Sequence, residues 1–172
     1  MDFFIRQENK KDYEYISKLV SSAFGRDNEA KLIEDLRKTK KFVSALSLVA
    51  EDYERIIGHI LFYPVKIKGE QEFDILSLAP VSVLPDHQNM GVGSKMIEEG
   101  LRNAEILGFR SVLVIGHPNY YPKFGFEPAK KWGIKAPFSI PDEAFLAIEL
   151  TPDALKNVGG IVEFPEEYKK SL

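Results

Sequence analysis

Hydrophobic and polar positions follow two periods along the chain, and their order predicts an α/β architecture. Residues 3–6 form a short apolar strand. From Asp12, apolar side chains recur at Tyr13, Ile16, Leu19, Val20, Ala23 and Phe24, the spacing of one helix face. Gly25 supplies a stop, and Asp27 or Asn28 caps a second helix carrying Leu32, Ile33 and Leu36. The middle is strand-rich. Residues 45–50 are a compact apolar run, 51–55 a polar hairpin turn, and 56–67 a long strand expected to bend at Gly58 and Pro64. A turn at Gly69 and Glu70 leads to a fourth strand over 73–83, with Pro80 inside it. Helical spacing returns after Pro85, with Met96, Ile97, Leu101 and Ala104 on one face and Gly108 at the end. Residues 111–115 are continuously apolar, as in a strand covered on both faces. A short element over 118–124 and a strand over 145–150 complete the pattern.

At 172 residues the chain has the length of one ordinary domain. The pattern divides it into a main domain over 1–150 and an extension over 151–172. The extension turns at Gly159 and Gly160 and is expected to pack on the same domain. Hydrophobic residues make up 44% and charged residues 28%, which excludes disordered and low-complexity classes. With 23 basic and 26 acidic side chains the formal charge is −3, so no bulk positive charge awaits nucleic acid or an anionic membrane. The absence of cysteine removes disulfides, thiolate metal sites and a catalytic thiol. Three histidines without acidic residues at ligand spacing make no metal site. The first residues are charged, with no apolar run of signal-peptide length, and no stretch of about 18 apolar residues occurs. The expectation is a soluble, cytoplasmic protein.

The stretch that carries chemistry is 84–94, a glycine-bearing turn from the fourth strand into a helix. Backbone N–H groups that converge at such a helix start attract phosphate oxygens. Gly91 and Gly93 put no side chain between backbone and ligand. A Walker A loop needs Gly-Lys-Ser/Thr, but Gly93 is followed by Ser94 and then Lys95. A dinucleotide fingerprint needs a third glycine or alanine where Met96 stands. A structural turn is the bland alternative.

A third reading covers more of the chain. Gln88, Asn89, Met90, Gly91, Val92 and Gly93 resemble the Gln/Arg-x-x-Gly-x-Gly/Ala loop of the GNAT N-acetyltransferase superfamily. The preceding Leu78, Ala79, Pro80, Val81, Ser82 and Val83 look like that family's fourth strand. Asn119, Tyr120, Tyr121, Gly125 and Phe126 look like its Asn…Phe-Tyr-x-x-x-Gly-Phe signature after the fifth strand. The similarity is closest to a subgroup with a Tyr-Tyr-x-x-Phe-Gly-Phe motif. The order of elements agrees over about residues 3–150. The resemblance implies the α/β GNAT fold: a mixed central sheet, flanked by helices, with a splay between its fourth and fifth strands.

The resemblance also implies an activity and its residues. The family uses acetyl-CoA as cosubstrate, with no metal, and transfers acetyl directly to a primary amine. Carried over, Gln88 and Asn89 open the loop, and the amides of Met90, Gly91, Val92, Gly93 and Ser94 cradle the pyrophosphate. Many members have Arg where Gln88 stands, and His87 or Lys95 is the nearest replacement for the lost charge. Backbone groups of Val81 and Val83 take the pantetheine arm, which lies along the splayed strand like an added one. Tyr121 aligns with the tyrosine that protonates the departing sulfur, and Asn119 is a hydrogen-bonding group to CoA or to the turn. The base is left open among Glu72, Asp74, His59 and His117, with ordered water as a further route. His117 is the most attractive of these, because imidazole titrates near neutrality. Small-molecule and peptide amines are both admitted as acceptors, and a homodimer is admitted by analogy. The alternative is a non-catalytic acyl-CoA sensor or interaction module.

Overall fold

The computed structural model describes residues 2–170, which divide into two compact units. The first gathers the chain up to Phe62, Pro80–Asn103 and the segment from Glu166. It holds β1 (Phe4–Gln7), α1 (Tyr13–Phe24), α2 (Asn28–Arg37) and β2 (Ser47–Asp52). It also holds the start of β3 (Arg55–Lys68), the end of β4 (Glu72–Val83), most of α3 (Val92–Ile106) and α4 (Glu166–Lys170).

The apolar faces anticipated for α1 and α2 are buried, Ile16, Leu19 and Val20 on one and Ala30, Leu32, Ile33 and Leu36 on the other. α1 ends at Gly25, whose left-handed backbone (φ +69°) lets its N–H reach Ser21 O at 2.8 Å. Asp27 occupies the N-cap of α2. β1, β2 and β3 form an antiparallel meander. The bend foreseen near Gly58 takes the form of a register shift between Ala50 and Glu51, whose partners are Gly58 and Ile56. β3 runs on through Pro64 without a break.

The helix α3 sits close on β3 because two positions have no side chain to keep them apart. A Cβ at Gly58 would lie 2.9 Å from Met96 Cε and 3.2 Å from Val92 Cγ1, and one at Gly100 would overlap the ring of Phe62. Met96 and Val92 are themselves buried. The start of α3 is therefore anchored by packing.

A polar cluster lies inside the same unit. Arg37 at the end of α2 donates two hydrogen bonds of 2.9 Å to the Glu8 carboxylate. His59 Nε2 lies 2.9 Å from Ser47 Oγ and 3.4 Å from Glu8 Oε1, and His59 is fully buried. Burial would push the Glu8 carboxyl up, but His59, Arg37 and Ser47 together outweigh it and hold it down at about 2. Burial pushes the His59 imidazole below its ordinary 6.5, against the pull of Glu8, so the ring is neutral.

The second unit holds Tyr63–Ala79 and Ala104–Pro165. Here β5 (Ser111–Ile115) pairs in parallel with β4 and antiparallel with β8 (Phe145–Glu149). β5 is buried at its first four positions, as its unbroken apolar run demands. β6 (Glu127–Pro128) adds to β8. β9 (Gly160–Glu163) pairs antiparallel with β3 at Lys66, Ile67 and Lys68, and in parallel with β7 (Ile134–Lys135). The sheet is mixed and the class is α/β, as expected. β6, β7, β9 and α4 are additions to the elements read from the pattern. Leu155, Val158 and Val162, in the stretch read as an extension, are buried.

Candidate functional site

The expected donor residues other than Asn119 lie in the first unit. β4 leaves its sheet at Val83, and Leu84 N–H donates to Ile57 O on β3 at 2.9 Å. Backbone groups alternate sides along an extended chain. The N–H and C=O of Val83 and Val81 therefore face away from β3. On that side β4 pairs with β5 only at Leu76↔Val112 and Ser77↔Leu113. Beyond Ser77 no β5 residue pairs with β4 among the described residues, although β5 continues to Ile115 and β4 to Val83. The ladder between β4 and β5 therefore ends at Ser77↔Leu113. Val83 O is engaged, because Gln88 Nε2 donates to it at 3.1 Å.

Gln88 is extended (φ −72°, ψ 158°), which swings the chain out of the short helical turn at Pro85–His87. Asn89 (φ +62°) and Gly91 (φ +84°) are then left-handed, on either side of Met90. Asn tolerates this region better than most residues and glycine tolerates it freely. A Cβ at Gly91 would meet nothing within 4 Å, so backbone conformation, not space, demands the glycine. Alternating hands turn successive N–H groups to one side, the geometry of an anion nest. α3 begins at Val92, and the N–H of Lys95 donates to Gly91 O at 3.0 Å. The helix dipole adds its positive end at the same place. Gln88, Asn89, Met90 and Gly91 are exposed, Gly93 and Ser94 half-buried, and only Val92 is enclosed.

Neither replacement cation is uncommitted. Lys95 Nζ lies 3.9 Å from Glu99, and His87 lies between Asp86 and Asp52.

His117, Asn119 and Tyr121 belong to the second unit. The carbonyl of His117 accepts the N–H of Tyr120 at 3.1 Å and of Tyr121 at 3.4 Å, which folds the chain into the turn Tyr121–Phe124. The imidazole of His117 and the side chain of Asn119 are exposed. The Tyr121 ring packs edge-on against Tyr120 and Phe126, at 5.1 and 5.7 Å between centroids. Its other support is Gly116, where a Cβ would overlap the ring. Sequence reasoning passed over Gly116, although a glycine placed directly after a buried strand is a signal of close approach. Burial, with a smaller contribution from Tyr120, pushes the Tyr121 phenol up to about 12.

Of the four candidate bases one is buried and three are exposed. His59 is sealed in the core and already engaged, so it reaches no substrate. Asp74 pairs with Lys66 at 2.6 Å and Glu72 with Lys68 at 3.5 Å. His117 is the one with an open ring. Among the described residues no group of three or more His, Asp or Glu side chains could hold a metal ion, and no helix is long and apolar enough to cross a membrane.

Comparison with known proteins agrees with this geometry. The family model described as an acetyltransferase (GNAT) domain matches residues 4–129. An uncharacterized N-acetyltransferase of Escherichia coli K12, YjhQ, is 39% identical over 137 residues, covering 78% of this chain and 76% of its own. The crystal structure of E. coli YhbS in complex with CoA superposes with a TM-score of 0.90 at 33% identity, covering 97% of this chain and 92% of that one. A GNAT family acetyltransferase from Brucella melitensis in complex with acetyl-CoA gives 0.80 at 31% identity, covering 97% and 98%.

Proposed function

This chain belongs to the GNAT acetyltransferase family, and from that premise we propose that it transfers the acetyl group of acetyl-CoA directly to a primary amine. The observation that carries the reading is the loop at residues 88–94. Two left-handed residues, Asn89 and Gly91, lead straight into a helix start, with open space around Gly91. In this reading Gln88, Asn89, Met90, Gly91, Val92, Gly93 and Ser94 hold the pyrophosphate of the donor. The outward groups of Val81 and the N–H of Val83 hold the pantetheine arm, and Asn119 adds a hydrogen bond.

The acceptor nitrogen bonds to the acetyl carbon as the carbon–sulfur bond breaks, and the nitrogen gives up one proton. An alkyl amine with pKa about 10.4 is only ~0.1% neutral near pH 7.4. An open imidazole at His117 is the side chain suited to receive that proton. Tyr121 serves the sulfur. Its phenol, at about 12, is a weaker acid than an ordinary thiol at about 8.5. Tyr121 therefore stabilises the departing thiolate by donating a hydrogen bond, and the proton released by the amine completes the thiol. The acceptor class is small-molecule or peptide amines.

The test is a thiol-release assay with acetyl-CoA and a panel of primary amines and N-terminal peptides. Release that depends on one class of amine supports the reading. Binding of acetyl-CoA with no release from any amine would replace it by the sensor alternative.

A further inference from the structure

The turn joining β2 to β3 is held to the segment that precedes the loop, and nothing in the reaction above uses that connection. Asp52 and Arg55 are the last register pair of the hairpin. The two residues between them, Tyr53 (φ +47°) and Glu54 (φ +65°), are both left-handed. A two-residue hairpin turn of this hand is normally Asn-Gly or Asp-Gly, and a tyrosine there is strained. The strain persists only if neighbouring contacts over-determine the turn. Those contacts run to one place. Asp52 Oδ2 lies 4.0 Å from His87 Nε2, His87 Nδ1 lies 2.7 Å from Asp86 Oδ1, and Arg55 Nη1 lies 3.6 Å from Asp86 Oδ2. The other Asp52 oxygen is buried without a hydrogen-bond partner, which leaves the His87 side as this carboxylate's outlet.

We propose that His87, bridged to Asp52 and Asp86, is a positioning residue that latches the β2–β3 turn to the pyrophosphate loop. The inference rests on the donor-binding reading of residues 88–94. His87 is the residue immediately before Gln88, so its χ angles and backbone set the point from which the loop departs. The latch has a second effect. Asp86 would place a negative charge beside a loop that receives a diphosphate, and the Arg55 guanidinium, 3.6 Å away, offsets part of that charge. The missing arginine at Gln88 makes this matter more, because backbone dipoles alone offset any residual repulsion.

A loop ordered for only a tenth of the time binds its ligand about tenfold more weakly. The experiment therefore has two readouts on the full chain: amide hydrogen exchange, without ligand, of Leu84, His87 and Lys95, whose N–H groups donate to Ile57 O, Leu84 O and Gly91 O, and acetyl-CoA affinity by calorimetry. Expected for His87→Ala and for Asp52→Ala is about tenfold faster exchange at these three amides, which flank the loop. Protection in β5 and β8 should be unchanged, and the double variant should be no worse than either alone. His87→Gln, which keeps a donor at the reach of Nε2 toward Asp52, should recover part of the loss. Acetyl-CoA affinity should fall by about the same factor in the two alanine variants. Exchange at the wild-type rate in both would overturn the latch, as would acceleration spread evenly over the chain. If the wild-type protein fails to bind acetyl-CoA, the donor reading fails, and loop exchange still decides whether the latch exists.

Discussion

Single residues set the chemistry through their neighbours. Tyr121 is neutral over the whole physiological range because burial holds its phenol up at about 12. Removing its hydroxyl leaves the ring contacts with Tyr120 and Phe126 intact, so Tyr121→Phe should fold and bind acetyl-CoA as the wild type does. Turnover should fall by about a hundredfold, the usual cost of losing one preorganised donor. Equal turnover in a thiol-release assay would remove Tyr121 from the mechanism. The same raised value predicts that the rate shows no falling limb from Tyr121 between pH 7 and 10. A limb in that range surviving in Tyr121→Phe belongs to another group. Gly116 offers a separate handle. A methyl there drives into the Tyr121 ring, so Gly116→Ala should lower turnover while acetyl-CoA affinity stays near wild type.

At the scale of elements, the buried cluster of Glu8, Arg37, Ser47 and His59 ties the segment just after β1 to α2, β2 and β3. Arg37→Ala would leave the Glu8 carboxylate buried with half its partners, at a cost of about 3–5 kcal/mol of stability. Chemical denaturation measures it, and a loss under about 1 kcal/mol would show the carboxylate finding water instead. The cluster also fixes a pH response. His59 titrates below 6.5 when folded, so the unfolded chain binds more protons as the pH drops past that value. Its contribution is complete above pH 6.5 and is lost on acidification. Glu8, ordinarily 4.5 and held at about 2, adds a further loss as the pH falls through that interval. The melting temperature should therefore decline below pH 6.5 and more steeply below 4.5. A melting temperature flat from pH 7 to 5 would contradict a neutral, buried His59.

The legibility of these elements in the sequence follows their physics. β5 and α3 carry long, unambiguous apolar patterns, and the glycine loop between β4 and α3 has a spacing that few turns share. Tyr121 was found through a motif, and its aromatic neighbours lie within five residues of it. β6 and β7 are two residues each, too short to express a period. β9 has four, and its place beside β3 depends on pairing across about a hundred residues. The His59 cluster is invisible for the same reason: its members are single polar residues on three separate elements and on the segment after β1. His59 stands among the candidate bases by its place in the third strand, and burial is what removes it.

For the whole molecule, residues beyond 150 contribute to each unit on its own terms. In the second unit Leu155, Val158 and Val162 are buried, and β9 supplies a partner to both β3 and β7. In the first, α4 lies against α2, where Glu167 and Lys170 share a pocket with Asn28, Lys31, Leu32 and Asp35. We take 151–172 as an integral part of a domain that begins in β1, so a chain cut after residue 150 should lose cooperative unfolding in calorimetry. A truncated protein that melts sharply at the full-length temperature would make the segment dispensable.

The central claim is that the loop at residues 88–94 receives the pyrophosphate of an acyl-CoA, and calorimetric titration of the full-length protein with acetyl-CoA, CoA and ATP tests it most directly. The account predicts saturable binding of both CoA species, little affinity for ATP, and loss of CoA binding in a Gly91→Val variant, whose β-branched side chain opposes the left-handed backbone. Absence of binding by either CoA species, or affinity unaltered in Gly91→Val, would contradict it.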